Sequence, residues 1–320
     1  MITHYSSSVR RLVIVSLILA FAVLPMFSAA EEIRDKKLSL KALIEEVAQQ
    51  NPDTKAARER WEVSRAVIPQ VQTLPDPKAQ IGYQQLPMAA PGVQGAIYGI
   101  GQEIPFPGKL RLRGEVASRD AQRFEHEYEA MQLRVIARLK QDYFDLHFVH
   151  KAIEIVEKNE RLLLQFEKTA RARYGVGQAA QQDVFRAQVE VSRVLDRLAV
   201  LQQQKESLHA EINRLRNRPP AGPLGTPEEI QVNLLPISLE ELNHRADAVS
   251  PILLATAKGI ERGEQAVALA RREYYPDFDL TALGLRNDRI GENGYQVMLG
   301  IRIPLYYQTK QREGVSQALA

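Results

Sequence analysis

The chain has 320 residues, no cysteine, six histidines, 42 basic and 39 acidic residues, and a pI near 9.0. The missing cysteine excludes disulfides, thiol catalysis, cysteine metal sites and an acylated N-terminal cysteine. The basic pI does not point to nucleic acid, because basic and acidic residues alternate along helical segments as on solvated helix faces.

The first thirty residues are expected to be a signal peptide. Arg10 and Arg11 form a basic start, Leu12 to Leu24 is uncharged, and Ser28-Ala29-Ala30 supplies small residues before Glu31-Glu32. The apolar run falls short of the about 20 residues that a membrane helix needs, and an uncleaved anchor is the alternative. Its removal leaves 40 basic residues against 39 acidic.

A first repeat is expected over residues 31–217. Residues 39–68 read as helix, with Ser39 as N-cap and Pro52 as an interruption. Leu74-Pro75-Asp76-Pro77 is a sharp break. Two short strands follow, 79–85 and 95–104, joined by a Pro/Gly/Ala-rich loop from Pro87 to Gly95. Pro105, Pro107 and Gly108 then turn the chain from strand to helix.

Residues 109–217 read as a coiled-coil hairpin. Between Gly114 and Gly175 there is no proline or glycine, so the first helix would be about 95 Å long. Its apolar positions are Leu139, Tyr143, Leu146, Val149, Ile153, Val156, Leu163, Phe166 and Ala170. After Gly175-Val176-Gly177, whose glycines permit positive φ, a second helix begins near Gln181. Its seam is Val184, Ala187, Val191, Val194, Leu198, Leu201, Leu208, Ile212 and Leu215, interrupted at Lys205. Sustained heptads of this kind indicate coiled coil, and the short turn makes the pair antiparallel.

The stretch 218–236 carries Pro219, Pro220, Pro223, Pro227 and Pro236 and reads as a linker. Beyond it, residues 237–320 repeat the opening. Ser39-Leu40…Leu43…Pro52 returns as Ser238-Leu239…Leu242…Pro251, and Ser238 with Glu241 makes a capping box. Pro75-Asp76 returns as Pro276-Asp277. Gly101…Ile104-Pro105 returns as Gly300…Ile303-Pro304. Helices over 239–273 and strands at 278–285 and 295–304 are expected, with Pro304 at the second junction. In the last strand Tyr295, Val297, Leu299, Ile301 and Ile303 share one face, and Gln296, Met298, Gly300 and Arg302 the other, a pattern suited to a sheet between lipid and water. A unit as long as the first would run well past Ala320, so the second copy is expected to be incomplete.

The fold class is therefore mainly α with a small β part: a long antiparallel coiled-coil hairpin and two β-hairpins in a duplicated unit. Four strands cannot close a membrane barrel, since the smallest have about eight, and open edges are not tolerated in lipid. If the strands enter a membrane, several chains must share one barrel, with the helices continuing it as a tunnel.

Here the sequence resembles the TolC-like outer-membrane efflux proteins. The resemblance rests on the duplication, on Gly101-Gln102-Glu103-Ile104-Pro105-Phe106-Pro107-Gly108-Lys109, and on Tyr174-Gly175-Val176-Gly177 followed by Asp183-Val184. It is most similar to the heavy-metal branch, the CzcC/CusC-type proteins. The resemblance implies a homotrimer in the outer membrane with a shared twelve-stranded barrel and periplasmic helices. It also implies a passive duct without cofactor, docked on a periplasmic adaptor and an inner-membrane RND pump that exports heavy-metal cations. It makes Gly175, Val176, Gly177 and Asp183 the adaptor-contact tip, and places gating residues on a second hairpin that this sequence does not contain.

His147, His150 and Glu154 have a spacing that can put ligands on one helix face, but no third histidine is near in sequence, so no metal site is expected there. The scattered methionines make no soft-metal ladder. No nucleophile elbow, phosphate loop or zinc-protease motif is present, and Gly99-Ile100-Gly101 is followed by Gln102 rather than by a helix, so no enzyme activity is expected. The alternatives to a duct are a soluble periplasmic coiled-coil scaffold, which leaves the amphipathic strand pairs unexplained, and a non-functional fragment of such a channel.

Overall fold

A computed structural model describes residues 37–85, 94–230, 236–286 and 291–320. The expected signal segment, most of the 87–95 loop, residues 231–235 of the linker and 287–290 of the second hairpin loop lie outside these. The elements run α1 (Leu40–Gln50), α2 (Pro52–Gln72), β1 (Lys78–Gln85), β2 (Gln94–Ile104), α3 (Lys109–Gly175) and α4 (Gln181–Leu215). Then come α5 (Leu239–Val249), α6 (Pro251–Arg272), β3 (Asp277–Arg286), β4 (Asn293–Arg302) and α7 (Gln311–Leu319). The order helix, helix, strand, strand, helix therefore occurs twice.

Several boundaries differ from the sequence expectation. The interruption expected at Pro52 is present, with the helices over 39–68 split at Asn51, but α2 continues through Pro69 to Gln72. The helical stretch 239–273 is likewise split, at Ser250-Pro251. The last strand ends at Arg302, not at 304. Ser39 is extended but makes no side-chain cap, whereas the Ser238 hydroxyl accepts from the Glu241 N–H at 3.2 Å. The Glu241 carboxylate, instead of completing a capping box, accepts from Arg245.

Two compact units emerge, and they do not follow the repeats. The first comprises residues up to Lys55 together with Met131–Pro236. Its core joins Leu43 and Val47 of α1 to Val135, Leu139, Tyr143 and Leu146 of α3, Ile212 and Leu215 of α4, and Leu224. Leu43 and Val47 lie one turn apart on one face, so α1 buries a single stripe. Asn51 is fully buried. Its amide donates to the Leu215 carbonyl at 3.0 Å, and its Oδ1 accepts from the Thr54 N–H at 3.0 Å. One side chain thus caps the start of α2 and takes up an orphan carbonyl at the end of α4. Tyr143 donates its hydroxyl to the Leu38 carbonyl and accepts from the Glu228 N–H, holding the parallel bridge between Leu38 and Pro227.

Further along the hairpin the α4 seam is as spaced: Val184, Leu201, Ile212 and Leu215 are buried and the positions between them half-buried. On α3 the stripe departs from expectation at one place. Phe166 is 56% exposed, and Glu167 takes the inward position, with its Oε1 accepting from Gln188 and Arg171.

The second unit comprises Ala56–Ala130 and Ile237–Ala320. It contains one antiparallel sheet in the order β1-β2-β3-β4. The central pair, β2 and β3, joins one copy of the repeat to the other, with Gly101 opposite Thr281. Strands β1 and β4 are the edges. The register places Ile81, Tyr98, Gly284 and Tyr295 in one row across the sheet, and Ala79, Ile100, Ala282 and Val297 in the next. This apolar face is open: Ile81 and Tyr295 are 91% and 90% exposed, and Val297, Leu299 and Ile301 are also exposed. The other face carries Gln80, Glu103, Asp279, Thr281, Gln296 and Arg302, together with glycines and the apolar Ile97, Leu283, Leu285 and Met298. Among the described residues no helix is long and apolar enough to cross a membrane.

Candidate functional site

In the first unit, the tip of the hairpin is a helix end with defined geometry. Gly177 has φ +72° and lies just past α3. Its N–H donates to the Tyr174 carbonyl at 3.0 Å, and the Gln178 N–H to the Arg173 carbonyl at 2.8 Å. That pair of bonds around a left-handed residue is the Schellman motif. Only Gly177 needs the positive φ; Gly175 is the last residue of α3, which corrects the expectation that both glycines do. Around neither glycine would an added Cβ meet anything within 4 Å.

Helix α4 starts after Ala180, which is extended and supplies no side-chain cap. Asp183, in the first turn, complements the helix dipole, as Arg173 does in the last turn of α3. Gly175, Val176, Gly177 and Asp183 are all exposed, so the structure brings the four named tip residues together at one surface. Tyr174 and Phe185, on the helix ends flanking the turn, are exposed too, as are Arg171, Arg173 and Arg186. Phe185 was missed in the sequence. Its position directly after the buried Val184, off the seam, was the available signal. Exposed apolar side chains of this kind can take part in a contact surface.

In the second unit the first strand-to-helix junction is built around a buried ammonium. Pro105, Phe106, Pro107 and Gly108 separate β2 from α3, and Gly108 has φ +92°. Lys109 is 1% exposed. Its Nζ lies 3.1 Å from Glu273 Oε2 and 2.9 Å from Asp277 Oδ1, and donates to the Tyr275 carbonyl at 3.0 Å. Asp277 Oδ1 also accepts from the Phe106 N–H at 2.8 Å. The Phe106 ring stacks on Tyr275 at 4.6 Å, with the Arg272 guanidinium 5.9 Å from the Phe106 ring centre. An added Cβ at Gly108 would come within 3.3 Å of that guanidinium. The junction therefore fastens the start of α3 to the corner between α6 and β3.

The second junction is not a copy of the first. Pro304 follows β4, a run of turns covers 305–310, and α7 begins only at Gln311. The residues equivalent to Gly108 and Lys109 are Tyr307 and Gln308. Tyrosine resists positive φ and glutamine carries no ammonium, so neither the sharp entry nor the buried ion pair can form.

The histidine cluster rearranges. Glu154 is exposed and holds Lys158 at 2.8 Å, away from the position needed for a shared ligand set with His147 and His150. The ring nearest to His150 is instead His209 of α4, with centroids 6.3 Å apart. Burial pushes the His150 pKa down to about 4, aided by the charges of Lys205, His209 and His147. Burial lowers His209 as well. Among the described residues no three His, Asp or Glu side chains are grouped to hold a metal.

Comparison with known proteins adds the following. Residues 43–217 match the family model described as "Outer membrane efflux protein". None of the curated proteins compared with the chain matches it. Among solved structures, the outer-membrane channel OprN aligns over 88% of this chain and 67% of its own, at 19% identity and a TM-score of 0.72. CusC, whose structures address folding and transmembrane channel formation, aligns over 90% of this chain and 70% of its own, at 15% identity and 0.72. The outer membrane protein VceC of Vibrio cholerae aligns over 88% and 72%, at 19% identity and 0.70. At these identities the likeness is one of fold.

Proposed function

This chain belongs to the outer membrane efflux protein family, and from that premise we propose that it is the outer-membrane channel component of a tripartite efflux system. In this reading it is a homotrimeric exit duct that conducts its cargo passively and performs no chemistry. The observation that carries the reading is the sheet: four strands, one exposed apolar face, one polar face, and two unpaired edges. A four-stranded sheet in lipid would leave backbone groups on β1 and β4 unsatisfied, each costing several kcal/mol. Three copies, joined β4 to β1, close twelve strands with the Ile81–Tyr98–Tyr295 face toward lipid and the Glu103–Arg302 face toward water.

The α3–α4 hairpin would then project into the periplasm. Gly175, Val176, Gly177 and Asp183, with Tyr174 and Phe185 beside them, would meet the adaptor that links the duct to an inner-membrane RND pump. Heavy-metal cations are the proposed cargo, on the strength of the Pro105-Phe106-Pro107-Gly108-Lys109 junction and its similarity to the CzcC/CusC-type branch.

The test is outer-membrane fractionation of the expressed chain, followed by mass determination in detergent. A trimer in the outer-membrane fraction supports the duct; a soluble monomer or dimer would sink it in favour of a periplasmic scaffold. For the tip, a cysteine in place of Val176 is unique in the chain and should cross-link to the adaptor, whereas one in place of exposed Leu239 should not.

A further inference from the structure

Two imidazoles in the first unit are left with something to bind. His150 of α3 and His209 of α4 each bury an Nε2 atom that has no hydrogen-bond partner. Both line a cavity of about 330 Å³ closed by Pro220, Ala221, Gly222, Pro223, Leu224 and Thr226 and flanked by Lys205 and Glu206. Buried unsatisfied nitrogens are rare in native proteins, and a bound water or ion is a common explanation. The cavity opens where the heptad seam breaks: Lys205 occupies a seam position that elsewhere on α4 is apolar.

We propose that this cavity is a binding site for one borderline divalent cation of the Zn²⁺ type, held by the Nε2 atoms of His150 and His209. The proposal goes beyond the duct reading and does not depend on it. Geometry allows it. With a metal–nitrogen bond of about 2.0 Å, a ring centre sits about 3.2 Å from the ion, so one ion can join rings up to about 6.4 Å apart. The observed separation is 6.3 Å. Bending to a tetrahedral angle brings the centres to about 5.2 Å, a movement of about 1 Å.

The donor set also selects the metal. Two imidazoles favour zinc, copper or nickel, whereas magnesium and calcium take oxygen cages. Lys205 repels any cation held by charge alone, so the ion must gain its affinity from the nitrogen bonds. Glu206 on the same wall offsets the Lys205 charge, and water completes the coordination because the described residues group no third ligand there.

The experiment is calorimetric titration of Zn²⁺ into the full chain, purified in detergent without a polyhistidine tag. One equivalent should bind, His150→Ala and His209→Ala should each weaken it at least roughly tenfold, and His147→Ala should leave it unchanged. Mg²⁺ should not compete. If the variants fail to fold, the unaltered chain suffices: Zn²⁺ should protect two histidines from diethylpyrocarbonate. Absence of both zinc uptake and protection means that water alone fills the cavity, and overturns the proposal.

Discussion

Glu103 and Arg302 stand 199 residues apart, at equivalent positions of the two repeats, and grip each other across the strand between them. Arg302 Nη1 donates to Glu103 Oε1 at 2.8 Å and Nη2 to Oε2 at 3.2 Å, while Nη2 also lies 3.2 Å from both Asp279 oxygens. Asp279 is the residue directly opposite Glu103 in the β2–β3 register. Two carboxylates facing each other in a sheet repel. The base at Arg302, where the first repeat has the acid Glu103, thus neutralises the clash between Glu103 and Asp279.

The order of mutational effects follows. Arg302→Ala should destabilise the sheet by about 1 kcal/mol, because it exposes that clash. Glu103→Gln should cost less, and added to Arg302→Ala it should restore part of the loss. Thermal unfolding of the chain in detergent measures this; equal, additive losses would refute the clash argument.

Lys109 should be the costliest side chain at the junction. Lys109→Met leaves Glu273, Asp277 and the Tyr275 carbonyl without their shared cation, and breaking a buried pair on one side costs about 3 kcal/mol. Arg113, half-buried and 3.5 Å from Glu273, is the control: without the enclosure of Lys109, Arg113→Ala should change the denaturation midpoint far less.

The two tip glycines should respond with opposite signs. Gly177→Ala forces a left-handed alanine and should cost about 1 kcal/mol. Gly175→Ala, in helical backbone with open space around it, should stabilise by up to about 1 kcal/mol. Hydrogen exchange at Tyr174 to Gln178 would read both.

Acid should weaken the first unit before its carboxylates titrate. The folded pKa of His150 is about 4, below its ordinary 6.5, so between these values the unfolded chain binds more protons. Stability is therefore full above pH 6.5 and declines as pH falls toward about 4. His209 adds to this, pressed down by burial and Lys205 and partly relieved by Glu206, while His147 and Lys205 act on His150. Glu211, held low by Arg214, contributes only below its ordinary 4.5, and Asp142, raised by burial, works in the opposite direction above its ordinary 3.8, taking up its proton first in the folded chain. Denaturant midpoints with chelator present should fall from pH 7.5 to 5, and fall less in His150→Gln/His209→Gln.

The parts of this architecture set by periodicity were readable in the sequence. Val184 to Leu215 announced its seam because each inward residue recurs at three or four, and Tyr295 to Ile301 announced its face because strands alternate. What escaped was set by partners distant along the chain. Glu167 displaces Phe166 from the seam because Gln188 on the facing helix answers it. Lys109 reads as a surface lysine until Glu273 and Asp277 arrive from more than 160 positions away. His150 pairs with His209, across the hairpin, rather than with His147 three residues back. Local spacing ranks neighbours on one helix and is silent about the next.

The Schellman turn at Gly177 has a last implication. Such turns usually carry an apolar clasp between the residues here occupied by Arg173 and Gln178, and both are exposed and polar. Backbone bonds alone set the path of the chain at this end. Val176, Gln178 and Ala179 can therefore change identity while the helices stay where they are. The surface of this turn can therefore vary in chemistry while the path of the two helices is kept.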